Sequence, residues 1–220
     1  MVSHTTDLAV DFGRKVRNII DDERYKQIFP NVSLAADSKS AGRWNTNMGG
    51  EYFACGIGSS IAGRGADLLL VDDPHSEQDV LNGNFDVFDK AYDWFAYGAR
   101  TRLMPGGRII MIGTRWGKKD PIGRALKWAE DSPDATPWHE IRFPAILETK
   151  NKDYDPQKPQ DDENKKTNLK SLWPEQWPLE SLKQKKAAMD PQYWNAQYMQ
   201  NPVSNNAAIV SRNAWRIWPL

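Results

Sequence analysis

The sequence predicts an α/β fold: a parallel sheet covered by helices. Three observations carry this. DLLLVDD (Asp67–Asp73) and RIIMIGT (Arg108–Thr114) are short, nearly continuous apolar runs, the pattern of strands buried on both faces. Between them Phe85, Phe88, Tyr92 and Phe95 recur at helical spacing. A third apolar stretch, WHEIRFPAI, follows a short helical pattern from Pro121 to about Glu130, so strands and helices alternate as parallel sheets require.

The elements read in order as follows. MVSHT is too short for a whole strand and reads as the tail of one. Thr5 or Thr6 caps a helix with Leu8, Phe12, Val16 and Ile19 on one face and Arg14, Lys15 and Arg17 on the other. After a loop through FPNVS, the segments RWNT and EYFACGIG read as short strands, and GSSIAGRGA as a glycine-rich turn into the first long strand. The aromatic helix reaches about Leu103, where Pro105-Gly106-Gly107 breaks it. Residues 1–149 form the core. Residues 150–170 hold almost nothing apolar and read as a polar flexible loop or linker. Residues 171–220 form a helical subdomain, with a helix from about Leu179 and an amphipathic piece, PQYWNAQYMQNP. The final IVSRNAWRIWPL stops without a cap or polar tail, so the expectation is a chain cut from a longer protein.

Composition narrows the function classes. The 220 residues carry equal numbers of acidic and basic side chains, so no global basic field points to nucleic acid. The single cysteine, Cys55, excludes an internal disulfide and fits a reducing compartment. No signal-peptide pattern opens the chain, and no apolar run approaches the roughly 20 residues of a membrane span. A soluble, cytosolic-type protein is expected. Ten tryptophans spread along most of the chain without basic interleaving, which reads as packing and not as a base-stacking platform.

The chemistry concentrates at strand ends. In open α/β sheets ligands bind at the carboxyl ends of the strands. Asp72 and Asp73 arrive there together. A metal-bound triphosphate needs one acid at the metal, and its hydrolysis needs a second that orients or deprotonates water. Adjacent strand residues point to opposite faces, so the two take different jobs only where strand gives way to loop. Asp-Asp-Pro is also good turn chemistry. Gly113, Thr114 and Arg115 end the neighbouring strand. A hydroxyl there senses a phosphate and an arginine transmits its presence; alternatively Thr114 satisfies a backbone group. Arg64, between two glycines, stands on exposed, mobile backbone and reaches a phosphate or remains a solvated loop residue. GIGSSIAGRG lacks the Lys-Ser/Thr of a phosphate loop and opens no helix. His4, His75 and His139 are far apart and beside no cysteine pair, which argues against zinc. His75 reads as a turn residue.

With these residues in order, the chain resembles the large terminase subunit, the DNA-packaging motor of tailed bacteriophages. The segments that carry the resemblance are SHTTDLAVDFGRKVR, GRGADLLLVDDPHSEQD, IIMIGTRWGKKDPIGR, WHEIRFPAI, LWPEQWPLESL and QYMQNPV. The family joins an ATPase of the P-loop, RecA-like type to a nuclease domain of RNase H-like fold. The resemblance implies a partial P-loop NTPase (RecA-like) domain lacking the N-terminal phosphate-loop segment, with residues 171–220 leading toward an absent C-terminal nuclease. It implies ATP and magnesium as cofactors, with Asp72 holding the magnesium (Mg) and Asp73 in the place of the catalytic acid. The family's commoner pair is Asp-Glu; aspartate is one methylene shorter, and Glu77, beyond the turn, is the alternative. Gly113, Thr114 and Arg115 match the motif that couples hydrolysis to movement, and Arg64 takes the place of an arginine finger. Implied partners are double-stranded DNA, the portal protein, the small terminase subunit and further copies in a ring. The implied location is the host cytoplasm, transiently at the procapsid portal, with no membrane. Three other readings share parts of the pattern: a helicase-like DNA-dependent ATPase, a metal-dependent nuclease using Asp67, Asp72 and Asp73, and an inactive structural fragment.

Overall fold

A computed structural model describes residues 1–37, 40–150, 152 and 167–202. They form two compact units: Met1–Gly113 with Lys119–Trp128, and Thr114–Lys118 with the residues from Ala129 onward.

The first unit is built on a four-stranded parallel sheet flanked by helices, in the order β4-β1-β5-β6. β1 is Val2–Ser3, two residues only, and both are buried. Thr5 then starts α1 (Thr6–Asp21), its Oγ1 accepting from the Leu8 amide at 3.3 Å. A short α2 (Glu23–Ile28) follows, capped by Asp22. The EYFACGIG stretch divides at Ala54. Its first half, β3 (Glu51–Phe53), pairs antiparallel with β2 (Arg43–Asn45) in a separate hairpin. Its second half, β4 (Cys55–Gly56), joins the main sheet beside β1.

β5 (Ala66–Asp72) is the long central strand, and β6 (Leu103–Ile112) runs parallel to it. Between them lie α3 (Glu77–Leu81) and α4 (Asp86–Asp93). The helical path runs on from α4 through a π-type turn to Ala99 and a 3-10 turn ending at Arg102. The aromatic helix thus extends as far as expected, with Phe88, Tyr92 and Phe95 buried. Pro105-Gly106-Gly107 does not sit between helix and strand. It is a bulge inside β6, where Ala66 pairs with Leu103 and Leu68 with Arg108, and Gly106 supplies the left-handed backbone at φ +80°.

One expectation fails in this unit. The buried stripe of α1 is Ala9, Gly13 and Ile20; Val16 and Ile19 are exposed. The cause is close packing against the hairpin: Tyr52 lies against Gly13 and donates to the Ala9 carbonyl at 2.7 Å, and the Trp44 indole donates to the Gly13 carbonyl at 3.1 Å. Helices flank the sheet, but among the described residues its two faces are covered unequally. Leu69 and Val71 are buried, but on the other side Leu68, Ile110 and Ile112 are about half exposed. Leu68 and Ile112, with Phe12 and Val16 of α1, line a cleft of ≈ 710 Å³. Among the described residues no strand pairs with the outer edge of β6.

The strand expected over WHEIRFPAI does not form either. Residues 138–145 carry no regular structure, and β7 (Ile146–Lys150) begins only at its last residue. β7 pairs antiparallel with β8 (Thr167–Ser171) in the second unit, outside the parallel sheet. Lys150 and Thr167–Lys170, the two ends of the expected linker, are therefore strand. The rest of that segment, Lys152 excepted, lies outside the described residues, as does the chain's end from residue 203. α5 (Pro121–Asp131) and α6 (Leu179–Ala187) stand where the sequence placed them. A short α7 (Pro191–Tyr193) runs into a π-type turn over PQYWNAQY. Ile146, Leu182 and Trp194 form the core of the second unit.

Candidate functional site

β5 delivers Asp72 and Asp73 to the carboxyl edge of the sheet. Alternation along the strand places Asp72 on the same side as Leu68 and Leu70, at the border of the open cleft. Asp73 breaks the alternation. Its φ is +42°, a left-handed conformation that residues with a Cβ seldom adopt. Both of its backbone polar groups are tied to neighbouring strands. Its amide donates to the Ile112 carbonyl at 3.0 Å, and its carbonyl accepts from the His4 amide at 3.0 Å. A Cβ built on Gly113 would stand 3.6 Å from Asp73 Oδ1, so the Asp73 carboxylate lies over the backbone at the end of β6. The adjacent aspartates do part company where strand becomes loop.

Burial pushes the Asp72 carboxyl above its ordinary range, and the charge of Asp73 pushes the same way; His4 opposes them. His75 is buried with its ring edge-on to Phe88, centroids 4.7 Å apart, and its Nδ1 has no hydrogen-bond partner. Burial lowers its basicity, against the pull of Asp120 and Asp73. This packing fits a turn residue. Ser76 then caps α3, accepting from the Asp79 amide at 3.1 Å and donating to Asp79 Oδ2 at 2.6 Å. Glu77 stands exposed in the first turn of that helix, outside the cap's hydrogen bonds.

Arg64 does not stand free on its glycine loop. Its guanidinium lies 3.8 Å from the Phe53 ring centre and Nη1 is 3.4 Å from Glu51 Oε1, which also accepts from Arg43 Nε at 3.1 Å. Arg64 and Asp72 both line the cleft. Gly113 belongs to the first unit, whereas Thr114 and Arg115 belong to the second. There the Arg115 amide donates to Gln200 Oε1 at 3.1 Å and its guanidinium is 3.7 Å from Glu140 Oε1. Gln200, at φ +51°, also donates from Nε2 to the Gln197 carbonyl at 2.7 Å. TRWGKKD and QYMQNPV are therefore joined by a side chain.

The sequence argued only against zinc at His4 and placed Gln200 only within QYMQNPV; it did not reveal the contacts of either. Contacts between His4 and a residue 69 positions away, or between Gln200 and one 85 positions away, leave no local signal. Asp67 lies at the other end of β5, five residues or roughly 16 Å from Asp72. Two-metal nuclease chemistry needs acids around ions about 4 Å apart, and this strand does not provide that. Among the described residues no group of three or more His, Cys, Asp or Glu is gathered for a metal ion. A single carboxylate such as Asp72 suits magnesium that takes its other ligands from phosphate and water.

Fold and site together define a parallel-sheet α/β protein with an acidic carboxyl edge. In comparisons with known proteins the chain matches no family model and no curated sequence. No helix among the described residues is long and apolar enough to cross a membrane.

Proposed function

We propose that this chain forms the hydrolytic edge of an ATPase motor of the large-terminase kind, in a P-loop, RecA-like domain that moves double-stranded DNA into a procapsid. The observation that carries the reading is the split acid pair: Asp72 beside the open cleft, and Asp73 turned by its left-handed backbone over the end of β6. Asp72 would hold the magnesium of ATP, and Asp73 would orient the attacking water and accept its proton. Glu77 is the alternative acid. Gly113, Thr114 and Arg115 would carry the phosphate's state onward, and Arg64 would act on transition-state charge after leaving Phe53 and Glu51. The open face and free edge of β6 support the reading, since parallel strands are ordinarily covered on both faces. A strand–loop–helix segment bearing the phosphate loop would fit there. Portal, small subunit and sister copies are the partners that the reading implies.

The test uses the longest reading frame that contains this chain. Its ATPase should be stimulated by double-stranded DNA. Asp72→Asn should weaken magnesium-dependent ATP binding by about tenfold or more, since losing one charge-assisted contact costs about 1.5–3 kcal/mol. Equal binding by the variant, with and without magnesium, would remove Asp72 from the metal.

A further inference from the structure

We infer that His4 is a positioning residue of the acid turn, holding Asp73 in its left-handed conformation through an Nδ1–H donor; its purpose, though not its geometry, rests on the reading of that turn as hydrolytic. Two donors of one residue converge on a single oxygen. The His4 amide reaches the Asp73 carbonyl at 3.0 Å and His4 Nδ1 reaches it at 3.2 Å. A carbonyl only accepts, so the shorter ring contact requires the proton on Nδ1. Ser3 Oγ, at 3.5 Å, is a longer neighbour of the same nitrogen. A neutral His4 therefore keeps its lone pair on Nε2.

Strained backbone persists where the surroundings over-determine it. Asp73 is held from β6 through its amide and from the end of β1 through its carbonyl, twice. The amide contact of His4 is available to any residue at that position. The ring contact needs a side-chain donor in the place of Nδ1, and it is what distinguishes this position from an ordinary strand end. Losing it loosens the carbonyl, lets Asp73 fall back toward negative φ, and carries the carboxylate off Gly113.

The experiment uses the 220-residue chain, isotope-labelled, with no nucleotide. Nitrogen NMR of the His4 ring should find the proton on Nδ1. In His4→Leu, Asp73 amide exchange should rise about three- to tenfold, the worth of one hydrogen bond, and residual dipolar couplings should report a loss of positive φ. His4→Asn, whose side-chain amide also donates, should restore both to within about twofold of the parent. A ring proton on Nε2 would overturn the inference, as would unchanged exchange in His4→Leu or failure of His4→Asn to rescue. If His4→Leu does not fold, the tautomer of the parent chain still decides. Failure here removes His4 alone, whereas failure of the ATPase assay leaves these results standing.

Discussion

At Asp72 the fold works against a charge. Its carboxyl binds a proton more tightly in the folded chain than in the unfolded one, because burial and Asp73 disfavour ionisation. Stability therefore falls as pH rises through the interval between the unfolded and folded values, and the loss persists above it. Asp72→Asn removes the ionisation. The variant should melt higher than the parent near pH 7, with the difference fading by about pH 3, where both states are protonated. Equal melting at neutral pH would mean that the carboxyl carries no such cost. Arg64 is the second residue whose surroundings matter. Its stack on Phe53 and its pairing with Glu51 are partly exposed, so Arg64→Ala should cost only about 0.5–1 kcal/mol in denaturant unfolding. In a protein that joins this chain to a phosphate loop, the same change should spare ATP binding and cut turnover by about 10³–10⁵. A loss below about tenfold would leave Arg64 as packing for Phe53.

At the scale of elements, α1 carries the sharpest constraint. Gly13 meets the Tyr52 ring so closely that an added Cβ would overlap it, and the Ala41 carbonyl oxygen would lie 2.8 Å away. Trp44 and Tyr52, stacked with centroids 5.0 Å apart, leave no room to yield. Gly13→Ala should therefore destabilise by about 1–3 kcal/mol despite alanine's better helix propensity, a cost read in urea unfolding. A neutral or stabilising result would mean that the hairpin shifts freely. This is also where sequence reading went astray. Helical periodicity found the apolar stripe Leu8-Phe12-Val16-Ile19, yet the tight interface is made by small residues, which periodicity does not weigh. Phe12 and Val16 instead line the cleft. The Thr5 cap, β5 and α5 were legible because capping chemistry, apolar runs and Pro at a helix start act locally. WHEIRFPAI misled because its apolar residues belong to no parallel sheet. Ile141 and Phe143 are exposed, and only the end of the stretch reaches the core of the second unit, Ile146 within it and Ala145 packed against it.

At the scale of the whole chain, the sequence made the carboxylate edge visible but not the conformation that gives it meaning. Asp-Asp-Pro is equally a turn and a catalytic pair, and only the left-handed backbone of Asp73, held by residues 69 and 39 positions away, distinguishes its two carboxylates. Nor does a sequence reveal which face of a sheet stays open, since that depends on what covers it. The two-unit division, which passes between Gly113 and Thr114, was equally hidden inside one apolar run. These 220 residues hold no GxxxxGK[ST] loop to cradle phosphates, so the chain alone should show no ATP turnover above background. The central claim, that Asp73 is the acid that handles water, is tested by turnover of two variants in a protein that joins this chain to a phosphate loop. Asp73→Asn keeps size and polarity but accepts no proton; it should bind ATP and lose about 10²–10⁴ in rate, or about 3–5 kcal/mol of barrier, while Glu77→Gln stays near the parent. The opposite result, a stalled Glu77→Gln beside an active Asp73→Asn, would contradict the account and place the water beyond the turn.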